Sequence, residues 1–216
     1  MLAWTTAINL TAIREPVAVA REHVVDSLTA LPLLRSRPTP DILDLGSGGG
    51  FPGLPLAMAL PQARTVLVDS VGKKATFLAT AIDALGLRPR VAVAATRAET
   101  LAADPHHSAR WSTVTVRAVG PLVELVELGL PLLAPDGILV AWKRRGRDGT
   151  DGGSGAALDR ELAAAAPLAE RLGGGPARVD DVTLPGLEDH VLVVIPKVGR
   201  TPPGFPRDPA TRRRGR

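Results

Sequence analysis

The sequence predicts a doubly wound α/β domain: a mostly parallel, seven-stranded sheet covered on both faces, preceded by a short helical extension. Three observations carry that expectation. Short apolar runs alternate with helical segments along the chain. One of those runs leads directly into a cluster of glycines. The length of 216 residues, 45% of them hydrophobic, suits one domain with its own core.

Taken in order, residues 1–37 read as helical with a break at Arg14-Glu15-Pro16, and Val17, Ala20, Val24 and Leu28 form a helical stripe. After the proline-rich turn 37–40, Ile42 to Leu45 is the first strand, and Leu54 to Leu60 the helix that follows the glycines. Thr65 to Val68 is the second strand and Lys73 to Leu85 the second helix. Strands at Arg90 to Ala94 and Ser112 to Val116, a helix at Val123 to Leu133 and a strand at Gly137 to Trp142 continue the alternation. Gly146 to Gly155 holds five glycines and reads as a loop, and Leu158 to Leu172 as an alanine-rich helix. Arg178 to Thr183 and His190 to Ile195 complete the sheet, as an antiparallel pair at its edge. The expected organisation is an extension (1–37), a domain (38–197) and a flexible basic tail (198–216).

Composition removes several function classes. With no cysteine, disulfides, thiolate-bound zinc, iron–sulfur clusters and a thiol nucleophile are excluded, and no metal site is expected. Tyrosine is absent and Phe and Trp number three each, too few for a base-stacking platform. The start lacks a basic region followed by a secretory apolar run, and no stretch approaches a membrane span, so a cytoplasmic protein with no membrane partner is expected. From Lys197 onward seven basic residues face Asp208 alone, which more than accounts for the net charge of +4. Such a tail either binds phosphate backbone or solubilises a disordered end.

The sharpest local signal is DILDLGSGGGFPG, Asp41 to Gly53. Glycines after a strand let the backbone turn tightly and approach a ligand without Cβ atoms in the way. Asp69, at the end of the second strand, is placed to accept hydrogen bonds from ribose hydroxyls. The loop lacks the G-x-G-x-x-G spacing, and Pro52 interrupts the row of N–H groups that a pyrophosphate needs. It therefore suits an adenosyl group without phosphate better than NAD. Phe51 either lies against such a cofactor or plugs the strand–helix junction. Arg117, closing the fourth strand, either pairs with a cofactor carboxylate or substrate phosphate, or makes a structural ion pair. Ala98 and Glu99 follow the third strand, where a nucleobase would lie, although Glu99 also fits the first turn of a helix.

At this point the chain resembles the ribosomal RNA small subunit methyltransferase G family, also called glucose-inhibited division protein B. The matching segments are Trp4 with NLT (Asn9 to Thr11), Arg14, HVVDS (His23 to Ser27), DLGSGGGFPGLPLA (Asp44 to Ala57) and LVDSVGKKATFL (Leu67 to Leu78). Further along come TRAE (Thr96 to Glu99), VRAVGPL (Val116 to Leu122), AWKRRG (Ala141 to Gly146) and TPPGFPR (Thr201 to Arg207). The resemblance implies a Rossmann-like S-adenosylmethionine-dependent methyltransferase fold and transfer of methyl to N7 of a guanine in the 530 loop of 16S rRNA. Gly46, Phe51, Asp69, Ala98, Glu99 and Arg117 would contact S-adenosylmethionine, with Arg117 organising the pocket and no general base needed. Arg14, His23, Lys73, Lys74, Arg97 and Lys143 would face RNA. The partner would be 16S rRNA or a small ribosomal subunit particle, met by a monomer.

Three departures stand out: the family usually has a further helix before the tryptophan, Phe205 replaces a frequent tyrosine, and Val116 a serine. Lys73-Lys74 at a helix start opposes the helix dipole, which favours an external phosphate partner over a solvated charge pair. The competing readings are a methyltransferase for a small molecule, with a lidded pocket, and an RNA-binding scaffold with an idle cofactor pocket.

Overall fold

The computed structural model describes residues 1–37, 41–146 and 155–214. Most of the expected glycine-rich loop 146–155 and of the proline-rich turn 37–40 lies outside these residues. The extension begins with α1 (Leu2–Ile8) and continues as α2 (Pro16–Val19), a π-helical stretch (Ala20–Val25), α3 (Asp26–Leu28) and α4 (Leu31–Arg35). Glu15 starts α2 by accepting hydrogen bonds from Val17 N (2.9 Å) and Ala18 N (2.6 Å), so the expected break at this position is a capped helix start. The domain then runs β1 (Ile42–Leu45), α5 (Gly53–Ala59), β2 (Thr65–Val68), α6 (Gly72–Ala84), β3 (Val91–Ala94), α7 (Ala98–Ala103), β4 (Trp111–Arg117) and α8 (Leu122–Gly129). It ends with β5 (Leu133–Arg144), α9 (Ala156–Arg171), β6 (Arg178–Asp181), β7 (His190–Pro196) and α10 (Pro209–Arg214).

The seven strands form one sheet in the order β3-β2-β1-β4-β5-β7-β6. The first five are parallel, β7 is antiparallel to both β5 and β6, and β6 is the edge. Because strand order reverses at β1, a crevice opens beyond the carboxyl ends of β1 and β4. Alternate residues of the strands serve opposite faces. Leu43, Leu45, Val114 and Val116 pack with α8 and α9, while Ile42, Val140 and Trp142 pack with Ala30 just before α4, Leu34 of α4 and Leu56 of α5. Both layers are closed to water, which explains why these strands read as uninterrupted apolar runs.

Two neighbouring elements differ in extent from the sequence reading, the helix from Val123 and the strand expected at Gly137 to Trp142. The helix expected to reach Leu133 stops at Gly129, a 3₁₀ turn covers Leu130–Leu132, and Leu133 already pairs with Trp111 in β5. Pro131 has no N–H to continue the helix. A Cβ on Gly129 would lie 2.8 Å from Leu139 Cδ1, so the helix meets the sheet closely here.

The end of the chain folds back on the domain. Phe205 lies beneath the guanidinium groups of Arg171 and Arg207, 5.1 Å and 5.7 Å from its ring centroid. Arg207 donates from its backbone N and Nε to Glu127 Oε1 (2.8 Å each) and from Nη2 to Oε2 (2.6 Å). Burial alone would raise the Glu127 carboxyl, but Arg207 outweighs it and holds the group below its usual range. Arg212 pairs with Glu99, so two of the tail's arginines are engaged by the body. Lys197 is buried at the carboxyl end of α9, donating to Leu172 O (2.5 Å), and desolvation lowers its pKa to about 8.

Candidate active site

The crevice has two walls. One is the turn between β1 and α5. Gly46, Gly48 and Gly50 hold φ of 69°, 54° and 89°, a left-handed path that side chains rarely tolerate. Gly53 opens α5 against the sheet, and a Cβ there would lie 2.3 Å from Leu67 Cδ2 and 2.7 Å from Asp44 Oδ2. Asp44, wholly buried in β1, anchors this turn. Its carboxylate accepts from Gly53 N (3.1 Å) and from Thr115 Oγ1 (2.8 Å), its register partner on β4. Desolvation pushes the Asp44 carboxyl up to about 6 despite these hydrogen bonds.

Asp69 closes β2 and is also buried. Its Oδ2 accepts from Gly48 N (3.0 Å) and its Oδ1 from Val71 N (2.8 Å), tying the first turn to the second. Each oxygen has a further lone pair for an incoming hydroxyl. Ala98 and Glu99 form the start of α7, half-buried, with Glu99 covered by Arg212 from the tail. The first-turn alternative for Glu99 is thus met.

The other wall comes from the extension. Arg117, at the end of β4, donates from Nη1 to Asp26 Oδ2 (2.8 Å) and to Glu22 O (2.9 Å). Its Nη2 lies 3.1 Å from His23 Nδ1, and its guanidinium carbon 5.4 Å from the Phe51 ring centroid. The ion-pair alternative for Arg117 is therefore realised. Asp26 is buried and bridges onward, its Oδ1 2.8 Å from His190 Nδ1, while its carbonyl accepts from Trp142 Nε1 (2.9 Å). His23 stacks on Phe51 (centroids 4.9 Å apart, 26° between planes). Burial, then the positive charge of Arg117, hold its pKa below the usual histidine value. His23 Nδ1 also lies 3.1 Å from the Glu22 carbonyl oxygen, and its Nε2 2.6 Å from Thr11 Oγ1. Phe51 therefore lies between the glycine turn and the extension, in contact with both His23 and Arg117.

The expected RNA-facing residues divide. Arg14, Lys73 and Arg97 are exposed and Lys74 is partly so. Lys143 instead points inward, donating to Gly120 O (2.9 Å) and pairing with Glu161 (2.6 Å). His23 belongs to the crevice wall. A cavity of about 340 Å³ lies between Arg117, Trp142, Lys143 and the π-helical stretch. Asp26, Glu22, His190 and Asp44 are the site residues that sequence reading missed. The available signals were an acid within HVVDS, another inside the apolar strand ILDL, and a histidine opening a buried strand. Among the described residues no cluster of His, Cys, Asp or Glu could hold a metal, and no helix is long and apolar enough to cross a membrane.

A family model described as rRNA small subunit methyltransferase G matches residues 1–150. The ribosomal RNA small subunit methyltransferase G of Roseiflexus sp. is 42% identical over 205 residues, covering 95% of this chain and 82% of that protein. That of Deinococcus deserti is 41% identical over 200 residues, covering 92% of this chain and 77% of that protein. Among solved structures, an S-adenosylmethionine-dependent O-methyltransferase from Thermotoga maritima superposes with a TM-score of 0.62 at 13% identity, over 93% of this chain and 72% of its own. An S-adenosylmethionine-dependent methyltransferase from Aquifex aeolicus gives 0.57 at 14% identity, over 92% of this chain and 99% of its own. At such identities the likeness establishes the fold.

Proposed function

The chain belongs to the rRNA small subunit methyltransferase G family, and on that premise we propose that it methylates N7 of a guanine in the 530 loop of 16S rRNA, using S-adenosylmethionine. The observation that carries this reading is the pairing of two walls at one sheet edge: a glycine turn tied to Asp69, and a cavity closed by the extension and Arg117.

The residues present fit an adenosyl cofactor. Asp69 keeps acceptor capacity on both oxygens, which would suit the two vicinal ribose hydroxyls that such a group carries. At Gly48 a Cβ would find only Gly46 O within 4 Å, so the missing side chain leaves an open cradle. Gly46, Phe51, Ala98 and Glu99 complete this side. The cofactor, when bound, supplies a methyl group carried on a sulfonium.

Guanine N7 presents an in-plane lone pair and no proton, so no general base is required. What the chain must supply is alignment and charge management. Arg117 is fixed by Asp26 and His23 and serves as the organiser of the pocket between cofactor and base. Arg14, Lys73, Lys74 and Arg97 offer exposed or partly exposed positive charge for phosphates, which positions RNA without reading its sequence. Lys143, expected to join them, acts instead within the cavity wall. We assign the enzyme to the cytoplasm and to a monomeric state, with rRNA or a small-subunit particle as substrate.

The test incubates the protein with isotopically labelled S-adenosylmethionine and small-subunit RNA, free and assembled, from cells lacking the modification. Label is expected as 7-methylguanosine at one loop position. Intact, cofactor-binding protein that labels neither RNA form would overturn the reading.

A further inference from the structure

Resting on the N7 reading above, we propose that the cavity beside Arg117 receives the unstacked target guanine and that Glu22 distinguishes it from the other bases. The cavity's volume of about 340 Å³ lies at the small end of the roughly 300–1,000 Å³ typical of small-molecule sites. It adjoins the cofactor turn, because Ala118 and Gly120 line it while Val119 between them abuts that turn. A Cβ on Gly46 would lie 2.5 Å from Val119 Cγ2. Ile13 and Trp142 supply apolar wall on which a base can lie.

The polar groups around the cavity are mostly committed. Both Asp26 oxygens are taken, by Arg117 and His190, and Trp142 Nε1 by the Asp26 carbonyl. Lys143 is held by Gly120 O and Glu161. Glu22 differs. Among the described residues its carboxylate has only long contacts, 3.4 Å to Arg21 Nη2 and 3.5 Å to Arg144 Nη2, and both arginines are exposed. Exposed pairs of that length hold a carboxylate weakly. Glu22 therefore has two oxygens to offer a ligand, fixed at their base because the Glu22 carbonyl accepts from Arg117.

A carboxylate repels phosphate, so the fitting ligand is a pair of adjacent N–H donors. Among the bases guanine alone presents such a pair, N1–H and N2–H, on its Watson–Crick edge; adenine and cytosine present an acceptor at the matching ring nitrogen, and uracil a single N–H between carbonyls. That edge lies across the ring system from N7. When the N7–methyl bond forms and the sulfur–methyl bond breaks, the electron pair stays on sulfur and positive charge passes to the guanine ring. Both N–H groups become better donors, so the carboxylate binds the methylated, cationic ring more strongly than the neutral one.

The test compares wild type, Glu22→Gln and Arg144→Ala on 530-loop RNA carrying guanine or inosine at the target. Inosine keeps N7 but lacks the N2 amino group. Wild type should favour guanine about 10- to 100-fold in single-turnover rate. Glu22→Gln should lose most of that preference and slow on guanine by a similar factor, with cofactor affinity measured by calorimetry within about twofold of wild type. Arg144→Ala should keep the preference. A Glu22→Gln enzyme with unchanged preference overturns the proposal, as does an Arg144→Ala enzyme that reproduces its defect. Loss of cofactor binding in Glu22→Gln also overturns it, since Glu22 would then act through the cofactor wall. Wild type that methylates neither RNA would instead sink the N7 reading itself.

Discussion

Asp69 and Asp26 are both buried carboxylates at the same edge of one sheet, yet they are satisfied in opposite ways. Asp69 takes its hydrogen bonds from backbone N–H groups of Gly48 and Val71, on its own and the neighbouring strand-to-helix turn. Asp26 takes its partners from side chains 91 and 164 residues away, Arg117 and His190. The cofactor wall is thus made by a short stretch of chain whose turns create their own donors. The acceptor wall exists only when the extension, β4 and β7 have all reached their places. A wall of the first kind is expected to stay folded when Asp69 is removed. One of the second kind holds the fold and the pocket with the same atoms.

That contrast is open to breaking, most severely at Asp26. Asp26→Ala should leave Arg117 buried without its counter-charge and lower the unfolding free energy by about 3–5 kcal/mol in urea titration. Asp69→Ala should reduce cofactor affinity about 100-fold by calorimetry while lowering unfolding free energy by only about 1 kcal/mol, because the freed N–H groups lie at the crevice mouth. If Asp69→Ala proved as destabilising as Asp26→Ala, the distinction between the two walls would collapse.

Asp44 sharpens the comparison from inside the cofactor wall, where a local motif does carry a buried charge. Its folded pKa of about 6 exceeds the ordinary value of 3.8. Ionisation above pH 6 therefore costs the folded chain more than the unfolded one, and this group adds stability as pH falls from about 6 towards 4. Relative to Asp44→Asn, the wild type should gain on the order of 2 kcal/mol between pH 7 and pH 4.5. Equal pH slopes in the two proteins would refute the assignment. The smallest effect belongs to the rim: Lys73→Ala with Lys74→Ala should reduce the salt slope of RNA binding by about 1–2, leaving cofactor affinity alone. An unchanged slope would assign both lysines to solvent.

Much of the cofactor wall was legible in the amino-acid order, because its determinants are consecutive. A strand, a glycine turn, a helix and an acid at the end of the next strand lie between Asp44 and Asp69, and their spacing survives translation into geometry. The role of Asp44 itself was not legible: an acid in an apolar strand reads as a defect until Thr115 and the Gly53 N–H are known to meet it. Arg117 was visible as a residue at the right strand end, but its partners were not. Lys143 looked like surface charge and turned inward, since Glu161 on α9 reaches it only after β5 and α9 pack. The tail, too, reads as unattached basic chain, and only the buried Glu127 reveals what Arg207 is for.

By itself the sequence determined the sheet's strands, the position of the glycine turn, the place of Asp69 at the end of the second strand and, through its motifs, the family. These follow from local rules: strand and helix periodicity, the conformational freedom of glycine, and the few turns that join a strand to a helix. Tertiary structure alone decided which charges are spent and which remain. Asp26 neutralises Arg117, His190 takes the other oxygen of Asp26, Lys143 and Glu161 cancel, and Glu22 lines the cavity with only long contacts among the described residues. Coulombic and hydrogen-bond pairing depends on distances of a few ångströms between atoms that can be far apart in the chain, and sequence order carries no record of those distances.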